Sequence, residues 1–464
     1  MLLRQIKTYC IGLFLSPLIV GVFTSMSAMA APEQSLEFEL RQTSYLSAPV
    51  DENQYNEYSR VRVRYYFYGE DSRTKGKVDF RGLFSVSGEE GQYLVLPELF
   101  MTGKFGHLNQ LQVTLGRQKF PWSFFDEHWG LGIWQPLFRG DYINPEAQGL
   151  TGLFVRIKQD HFQLAGFVSS LFLPDQGPNF VLDNGRMYSA NRWFQQPASE
   201  AIIAQGVSSV EYEMVYPQVS QVVSQHSLAF WGRLGQIQEG FWAQTAYAYK
   251  PVNQLHIAIN MEQKYRTDEN VAQPEIHPMV VYHHVGTAEV GYSGDGVSSW
   301  FSMTYEKPIQ PELSKSWIQS SLNPTSFLGA NLQHSLDDLG IHQTSLTWSY
   351  LLKEETLDPE KTSESSGVDS SFSRFLFSEV IGFAAKSLLV DRPSKQISSE
   401  VRYLYDIKER GGLLQASLSY KPRYAWTWHL GFDVMGVSDQ ETGSGFFKQY
   451  QGNDRVYGGV SYVF

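Results

Sequence analysis

The chain has 464 residues, a formal net charge of −11 and an aromatic content of 14%. The acidic balance argues against nucleic-acid binding, and a single cysteine, Cys10, leaves no intramolecular disulfide or thiolate metal cluster to consider. After the N-terminal region, no stretch offers the roughly 20 consecutive apolar residues of a membrane-spanning helix.

The N-terminal segment predicts an export signal. Arg4 and Lys7 precede an apolar run over residues 11–22, and Ala28-Met29-Ala30 has the small-x-small pattern of a cleavage site. We therefore expect residues 1–30 to be a cleaved signal peptide and residues 31–464 to be the mature protein. The alternative is a membrane anchor, but the apolar run is too short to span a bilayer comfortably.

The chain that follows alternates in polarity with a period of two. In the first candidate strand, Leu36, Phe38 and Leu40 alternate with charged residues, and the pattern recurs around Val61 and Val78. One face of each strand must therefore contact apolar material while the other faces water. In a soluble sandwich the apolar face would form the core, whereas in a transmembrane barrel it faces lipid and the charged face lines the lumen.

Short and long connections also alternate along the chain. Short turns are expected near residues 69–75, 106–109, 159–161, 251–253, 293–296, 335–340, 391–395 and 421–424, and the longer connections include residues 119–149, 173–204 and 353–373. This segmentation gives about 20 candidate strands, with 18 equally compatible. The sequence predicts an all-β fold, a closed antiparallel transmembrane β-barrel of about 18 strands (range about 16–20), with both termini on one side.

The last candidate strand carries a specific pattern. Val456, Gly458, Val460 and Tyr462 share one face with the terminal Phe464. This pattern resembles the C-terminal signal that outer-membrane barrels present to the barrel assembly machinery. It implies a cell outer-membrane location, in contact with outer-membrane lipid and lipopolysaccharide. The alternative is a chain that merely ends in an edge strand.

Charged residues of the predicted lumen face are concentrated in the first third of the chain. Those expected to line the pore are Arg60, Arg62, Arg64, Arg81, Glu98, Arg156 and Lys158. Lumen-facing guanidinium groups concentrate anions. The same arginines could pair with Glu37, Glu39, Asp79 and Glu98 in a structural network, and both interpretations can hold together.

The third long connection, residues 119–149, is rich in aromatic and charged side chains. A freely solvated loop would be a poor place for so many aromatics, so we predict that it folds into the barrel as a constriction. Its key residues are Trp122, Phe125, Asp126, Trp129, Trp134, Arg139 and Asp141. Aromatic faces beside Arg and Asp also suit sugar rings. The alternative is a loop packed on the rim with no role in solute binding.

The stretch Leu115-Gly116-Arg117-Gln118 precedes this connection and resembles the corresponding segment of alginate-export-type outer-membrane barrels. Those are large monomeric barrels with a basic lumen that pass an anionic polysaccharide outward. The resemblance implies that Arg117 lines the pore. However, Arg117 shares the lipid-side parity of Leu115 and would reach the lumen only if the strand had ended or bulged before it.

Together these features predict a porin-like passive channel for small anionic or saccharide solutes, without a cofactor or metal. Two alternatives stay open: a dedicated exporter of an anionic polysaccharide, and a structural or adhesive surface barrel with an occluded lumen. We expect no enzymatic activity, because no residue spacing demands a catalytic site. The adjacent His283 and His284 begin a strand and should point to opposite faces.

Overall fold

The structure is a computed structural model that describes residues 32–49, 51–86, 91–106, 110–203, 206–266, 271–309, 311, 317–319, 322–337, 343–356, 374–392, 395–423, 425–438 and 445–464. The predicted signal peptide and most of the predicted loop 353–373 lie outside these residues. Among the helices of the described part, none has the length and apolar character needed to traverse a bilayer.

The described residues form a single closed sheet of eighteen strands. The strands are β1 Glu33–Tyr45, β2 Glu57–Glu70, β3 Thr74–Ser85, β4 Tyr93–Phe105, β5 Leu111–Gln118, β6 Leu150–Lys158, β7 Phe162–Ser169, β8 Ser227–Gln236, β9 Glu239–Pro251, β10 Tyr282–Gly294, β11 Val297–Pro308, β12 Thr325–Ser335, β13 Thr344–Glu355, β14 Glu379–Arg392, β15 Lys395–Asp406, β16 Gly411–Arg423, β17 Trp426–Val437 and β18 Arg455–Val463. Each strand pairs antiparallel with the next one, and β18 pairs with β1. The predicted closed antiparallel barrel of about 18 strands is confirmed.

The alternation in the sequence gives the barrel two distinct faces. Apolar side chains such as Leu40 and Leu430 point outward and are 51% and 56% exposed. The residues that alternate with such outward-facing ones point into the barrel, where Glu39 and Trp231 are buried. Because successive strand residues point to opposite sides, one period-two sequence builds both an apolar outer belt and a polar or aromatic interior.

Closure places the end of the chain against its beginning. Phe38 pairs with Tyr462 and Leu40 with Val460, and the backbone N–H of Phe464 donates to the carbonyl of Leu36 at 2.9 Å. Tyr462 and Phe464 also contact each other through their rings, whose centroids are 4.5 Å apart. This pairing leaves the barrel sheet without an edge strand. The face predicted from Val456 to Phe464 is therefore formed, while its role as an assembly signal stays a prediction.

The two rims differ in the length of their connections. At the short-turn rim, pairs such as β2–β3 and β10–β11 are joined by two or three residues, and both ends of the barrel sheet lie there. At the opposite, long-loop rim lie the connections 119–149, 170–226 and 252–281. The first two of these connections contain the helices α1 Phe124–Trp129 and α2 Val219–Val223. A further helix, α3 Phe446–Tyr450, lies between β17 and β18.

One predicted short turn, residues 251–253, is wrong. Pro251 ends β9, and the chain then enters a long connection whose strands His256–Arg266 and Val271–Met279 pair with each other in a separate sheet. Gly206–Val210, Glu213–Met214, Glu200–Ile203 and Trp317–Gln319 complete that sheet. A loop hairpin with one apolar face has the same sequence period as a strand of the barrel wall. For this reason the sequence gives about 20 candidate strands, whereas the barrel has 18.

Candidate constriction site

The connection 119–149, here called the constriction loop, begins where β5 ends and folds into the barrel around the short helix α1. Ser123 caps this helix, because its Oγ accepts a hydrogen bond from the Asp126 backbone N–H at 3.1 Å. Gly130 ends it in a left-handed conformation with φ 58°, which a glycine adopts without steric cost.

A wall carboxylate anchors the start of α1. Glu289 of β10 accepts hydrogen bonds from Ser123 Oγ at 2.6 Å and from the backbone N–H groups of Phe124 and Phe125 at 3.0 and 3.1 Å. Gln244 and Ser302 on the two neighbouring strands also donate to it. A negative charge at a helix N-terminus is favourable, so Glu289 fixes the loop to the wall. Sequence reasoning missed Glu289, since nothing local distinguishes it from other lumen-facing carboxylates.

The aromatic residues of the constriction loop form the core of the barrel interior. Trp122 and Trp134 stack with centroids 5.4 Å apart, and Trp134 Nε1 donates to Thr287 Oγ1 of β10 at 2.9 Å. Phe125 lies against β12 at Gly329, where a Cβ would stand 2.1 Å from its ring. The structure thus brings together four predicted residues, Trp122, Phe125, Trp129 and Trp134, all buried in one cluster with wall residues.

The far end of the loop contacts the opposite part of the wall. Asp141 accepts a hydrogen bond from Arg455 of β18 at 2.6 Å, and this guanidinium lowers the pKa of Asp141 although burial opposes the shift. Glu146 pairs with Arg81 of β3. The loop 119–149 therefore crosses the lumen and contacts the wall on both sides, while its role as a constriction that solutes meet stays a prediction.

Two other charged residues of the loop stabilise its own conformation. Asp126 accepts hydrogen bonds from the backbone N–H groups of Ile133 and Trp134 at 2.9 and 3.0 Å, while burial raises its pKa to about 6. Arg139 binds Asp175 of the next long connection at 2.9 Å and the carbonyl of Leu131. Asp126 and Arg139 therefore hold loops together rather than face an opening.

Glu127 presents a titratable group to the interior. Its side chain is exposed, yet desolvation inside the barrel, together with the charges of Asp126 and Glu289, raises its pKa to about 7. The neighbouring His128 is more enclosed, and burial, followed by the charge of Arg402, lowers its pKa to about 4. Near neutral pH, Glu127 is the group of the two that changes charge.

The predicted lumen arginines form an ion-paired ladder across β1, β2 and β3. Arg62 lies 2.5 Å from Glu39 and 3.1 Å from Glu37, and Arg64 and Arg81 both contact Asp79 at 2.9 Å. On the next strands Lys77 pairs with Glu98, which also accepts from the Lys119 backbone N–H at 3.2 Å. The structural network considered from the sequence is therefore present, and its members stand on the lumen face.

The remaining predicted pore residues separate into two groups. Arg156 and Lys158 share the inward face of β6, where the Arg156 guanidinium lies 5.9 Å from the Trp231 ring centroid. Arg117 does not join them. It pairs in register with Leu99 and Thr151, and β5 continues through Gln118, so Arg117 keeps the outward register of Leu115. The prediction that Arg117 lines the pore is not supported by this register, because the strand does not end before it.

His283 and His284 lie on opposite faces of β10, as predicted. His283 is buried inside the barrel and contacts Glu306, whose two carboxylate oxygens both accept from Arg374 Nη2, at 2.8 and 3.0 Å. His284 contacts Tyr247 Oη at 2.8 Å on the outer face. The two imidazoles therefore do not converge on one site.

Comparison with known proteins gives a resemblance in architecture. No protein-family model matches the chain, and no curated protein matches it. Solved structures do match: OccK3 (OpdO) of Pseudomonas aeruginosa has 10% identity over 96% of this chain and 99% of that chain, with a TM-score of 0.46. OccAB1 of Acinetobacter baumannii has 7% identity over 94% and 96%, with a TM-score of 0.49.

A third match is OmpF of Salmonella typhi in complex with daunomycin, at 11% identity over 93% of this chain and 97% of that chain, with a TM-score of 0.40. At these identities the similarity concerns the fold alone. The resemblance to alginate-export-type barrels stays a prediction.

Proposed function

We propose that this chain is an outer-membrane diffusion channel for small polar solutes, with a preference for anionic or saccharide ones. Three features support a membrane channel: the closed sheet, the apolar outer belt and the charged inner wall narrowed by the constriction loop. A closed barrel satisfies all backbone hydrogen bonds within the sheet, which a lipid environment requires.

The proposed anion preference rests on the exposed fractions of the ion-paired side chains. The side chains of Arg62 and Arg64 are 23% and 31% exposed, whereas their partners Glu39 and Asp79 are 8% and 3% exposed. Lys77 and Glu98 follow the same order, at 25% and 7%. In these three pairs the carboxylate is less exposed than the cation, so a solute meets the cations there; in the pair Arg81–Glu146 the order is reversed, at 13% and 39%. Exposed lumen cations concentrate anions and favour their passage.

The test is a planar-bilayer measurement of reversal potential across a salt gradient with purified protein. We expect anion preference in the unmodified chain and a loss of that preference in the double variant Arg62→Gln, Arg64→Gln. The matched control is Arg186→Gln, which removes an exposed arginine from a loop hairpin, Val181–Asp183 with Arg186–Tyr188, away from the wall. Cation preference, or equal selectivity in the double variant and the control, would contradict the proposal.

A second candidate is a surface barrel with an occluded lumen. One observation favours it: Trp122, Phe125, Ile133 and Trp134 are almost wholly buried, so the constriction loop fills part of the interior like a core. The same bilayer experiment separates the candidates. Discrete conductance steps support the channel, while a correctly folded protein that gives no steps supports the occluded barrel.

A further inference from the structure

A cavity lies at the long-loop rim, beside the far end of the constriction loop. It is enclosed by the rim ends of β1, β2, β3 and β4, by the connection 170–226, and by Phe138 and Gly140 of the constriction loop, and its empty space is about 610 Å³ including its open mouth. We call it the mouth cavity; its principal lining residues are Tyr45, Tyr58, Arg60, Tyr93, Arg192 and Trp193.

Two buried hydrogen-bond donors of the mouth cavity, on Arg192 and Trp193, have no acceptor in the described part of the chain. Arg192 and Trp193 are 3% and 1% exposed, yet Arg192 Nε and Trp193 Nε1 are buried without a hydrogen-bond partner. The other two guanidinium nitrogens of Arg192 donate to the carbonyls of Ser47 and Ala48 at 3.0 and 2.8 Å. A rigidly held donor left unpaired in a buried position is costly unless a ligand accepts from it.

Arg60 adds a positive charge that no described residue pairs with. Unlike Arg62 and Arg64, it makes no ion pair or hydrogen bond with any residue in the described part of the chain. Its register partner on β1 is another arginine, Arg41, which stacks on the Tyr457 ring at 3.9 Å and whose charge acts on Asp141. No aspartate or glutamate occurs among the described lining residues of the cavity. A cavity whose described lining contains arginines and no carboxylate favours an anion.

The aromatic side chains that line the cavity favour a ligand with a ring as well as a charge. Tyr45 and Tyr58 lie with ring centroids 6.3 Å apart, and Arg192 stacks over Tyr45 at 4.3 Å. Tyrosine faces accept the apolar C–H face of a flat or ring-shaped solute, and their hydroxyls bond to its rim. A free inorganic anion would make no use of these rings, whereas a ring that carries an acidic group uses both features.

We propose that the mouth cavity binds one anionic sugar residue, with its acidic group, a carboxylate or a phosphate, at Arg60 and its ring against the tyrosines. This deepens the proposed channel function and rests on it: the site would capture the solute before the constriction. Arg60, predicted from the sequence only as a pore-lining cation, thus gains a distinct role from the ion-paired arginines below it.

The test is isothermal titration of the full chain in detergent with glucuronate, glucose 6-phosphate, glucose and inorganic phosphate. We expect at least one anionic sugar to bind, and glucose and phosphate to bind roughly tenfold or more weakly. Arg60→Gln should weaken binding by roughly ten- to a hundredfold, as expected for loss of a hydrogen bond to a charged group. Tyr58→Phe, which keeps the ring, should weaken it by a smaller factor, while Arg186→Gln should leave it unchanged.

Each other result decides against the proposal. Equal binding of glucose and glucuronate removes the anion requirement, and phosphate binding as tight as that of the sugars leaves a bare anion site. Unchanged affinity in both Arg60→Gln and Tyr58→Phe places the ligand elsewhere. Calorimetry does not depend on conduction, so binding by a protein that is silent in bilayers refutes the channel alone, and conduction without Arg60-dependent binding refutes the mouth site alone.

Discussion

Replacing Glu289 by glutamine should release the constriction loop from the wall. The two carboxylate oxygens of Glu289 accept from five donors: Oε1 from Ser123 Oγ, Phe125 N and Ser302 Oγ, and Oε2 from Phe124 N and Gln244 Nε2. A glutamine side chain keeps one oxygen and turns an NH₂ group toward the remaining donors. With the NH₂ group at the Oε2 position, the two hydrogen bonds from Phe124 N and Gln244 Nε2 are lost, and in either orientation the charge at the α1 N-terminus is lost as well.

The size of the effect follows from these two bonds. Hydrogen bonds to a charged group contribute about 1.5–3 kcal/mol each, so at the lower value the loop loses about 3 kcal/mol of docking free energy. That corresponds to a roughly hundredfold increase in the undocked population. The measurement is single-channel recording: we expect larger or more variable conductance steps from Glu289→Gln than from the unmodified chain.

The matched control is Glu37→Gln, which removes a lumen carboxylate bound to Arg62 rather than to the constriction loop. Both variants change the lumen charge by the same amount, so only Glu289→Gln should alter the distribution of conductance levels. If the two variants give the same conductance distribution, Glu289 does not hold the loop in place and the reasoning is refuted.

Two further predictions concern the pH dependence of selectivity and the ion pair between β17 and β18. Because the pKa of Glu127 is raised to about 7, this carboxylate is mostly ionised at about pH 8 and mostly neutral at about pH 6, so anion preference should rise as pH falls through this range. Reversal potentials measure this, and a pH response that persists unchanged in Glu127→Gln would contradict it. Arg455 and Asp433 form a buried pair at 2.7 Å between β18 and β17, and Asp433→Asn should lower the free energy of unfolding by about 1.5–3 kcal/mol, because Arg455 loses one charged partner but keeps Asp141. Thermal unfolding in detergent measures the loss of stability. The control is Glu400→Gln, which breaks the exposed pair with Lys386 and should change the free energy of unfolding by less than about 1 kcal/mol. Equal effects of the two substitutions would argue against a structural role for the buried pair.

The wall could be predicted from the sequence because its signal is local. Alternation such as that around Val61 and Arg62 reports which side of a strand meets apolar material, and the terminal pattern at Phe464 marks the closing strand. The boundaries of the constriction loop also emerged, since strand alternation stops at Gln118 and resumes at Leu150. The same local signal failed at His256–Arg266, where a loop hairpin imitates a wall strand.

The contacts that set the site were not predictable, because they join distant parts of the chain. Glu289 and Ser123 are 166 positions apart, and the five donors that meet at Glu289 come from the loop and two further strands. Likewise, Arg60 and Arg62 have the same sequence context, but only the fold shows that Arg62 has carboxylate partners while Arg60 faces the mouth cavity. Strand parity predicts the face on which a residue lies, and cross-strand register determines its partners.

The crossing of the lumen by the constriction loop has a consequence for assembly. The loop precedes β6 in the chain, but its partners Glu289 and Arg455 belong to β10 and β18, so its final conformation must await strands that are made much later. Until then, Trp122, Phe125 and Trp134 lack the wall residues that bury them, and the growing sheet exposes these aromatic side chains. The last strand therefore completes two contacts during biogenesis: β18 pairs with β1, and Arg455 binds Asp141. A chain that stops before β18 would have an unclosed sheet and a constriction loop without its contact to Arg455.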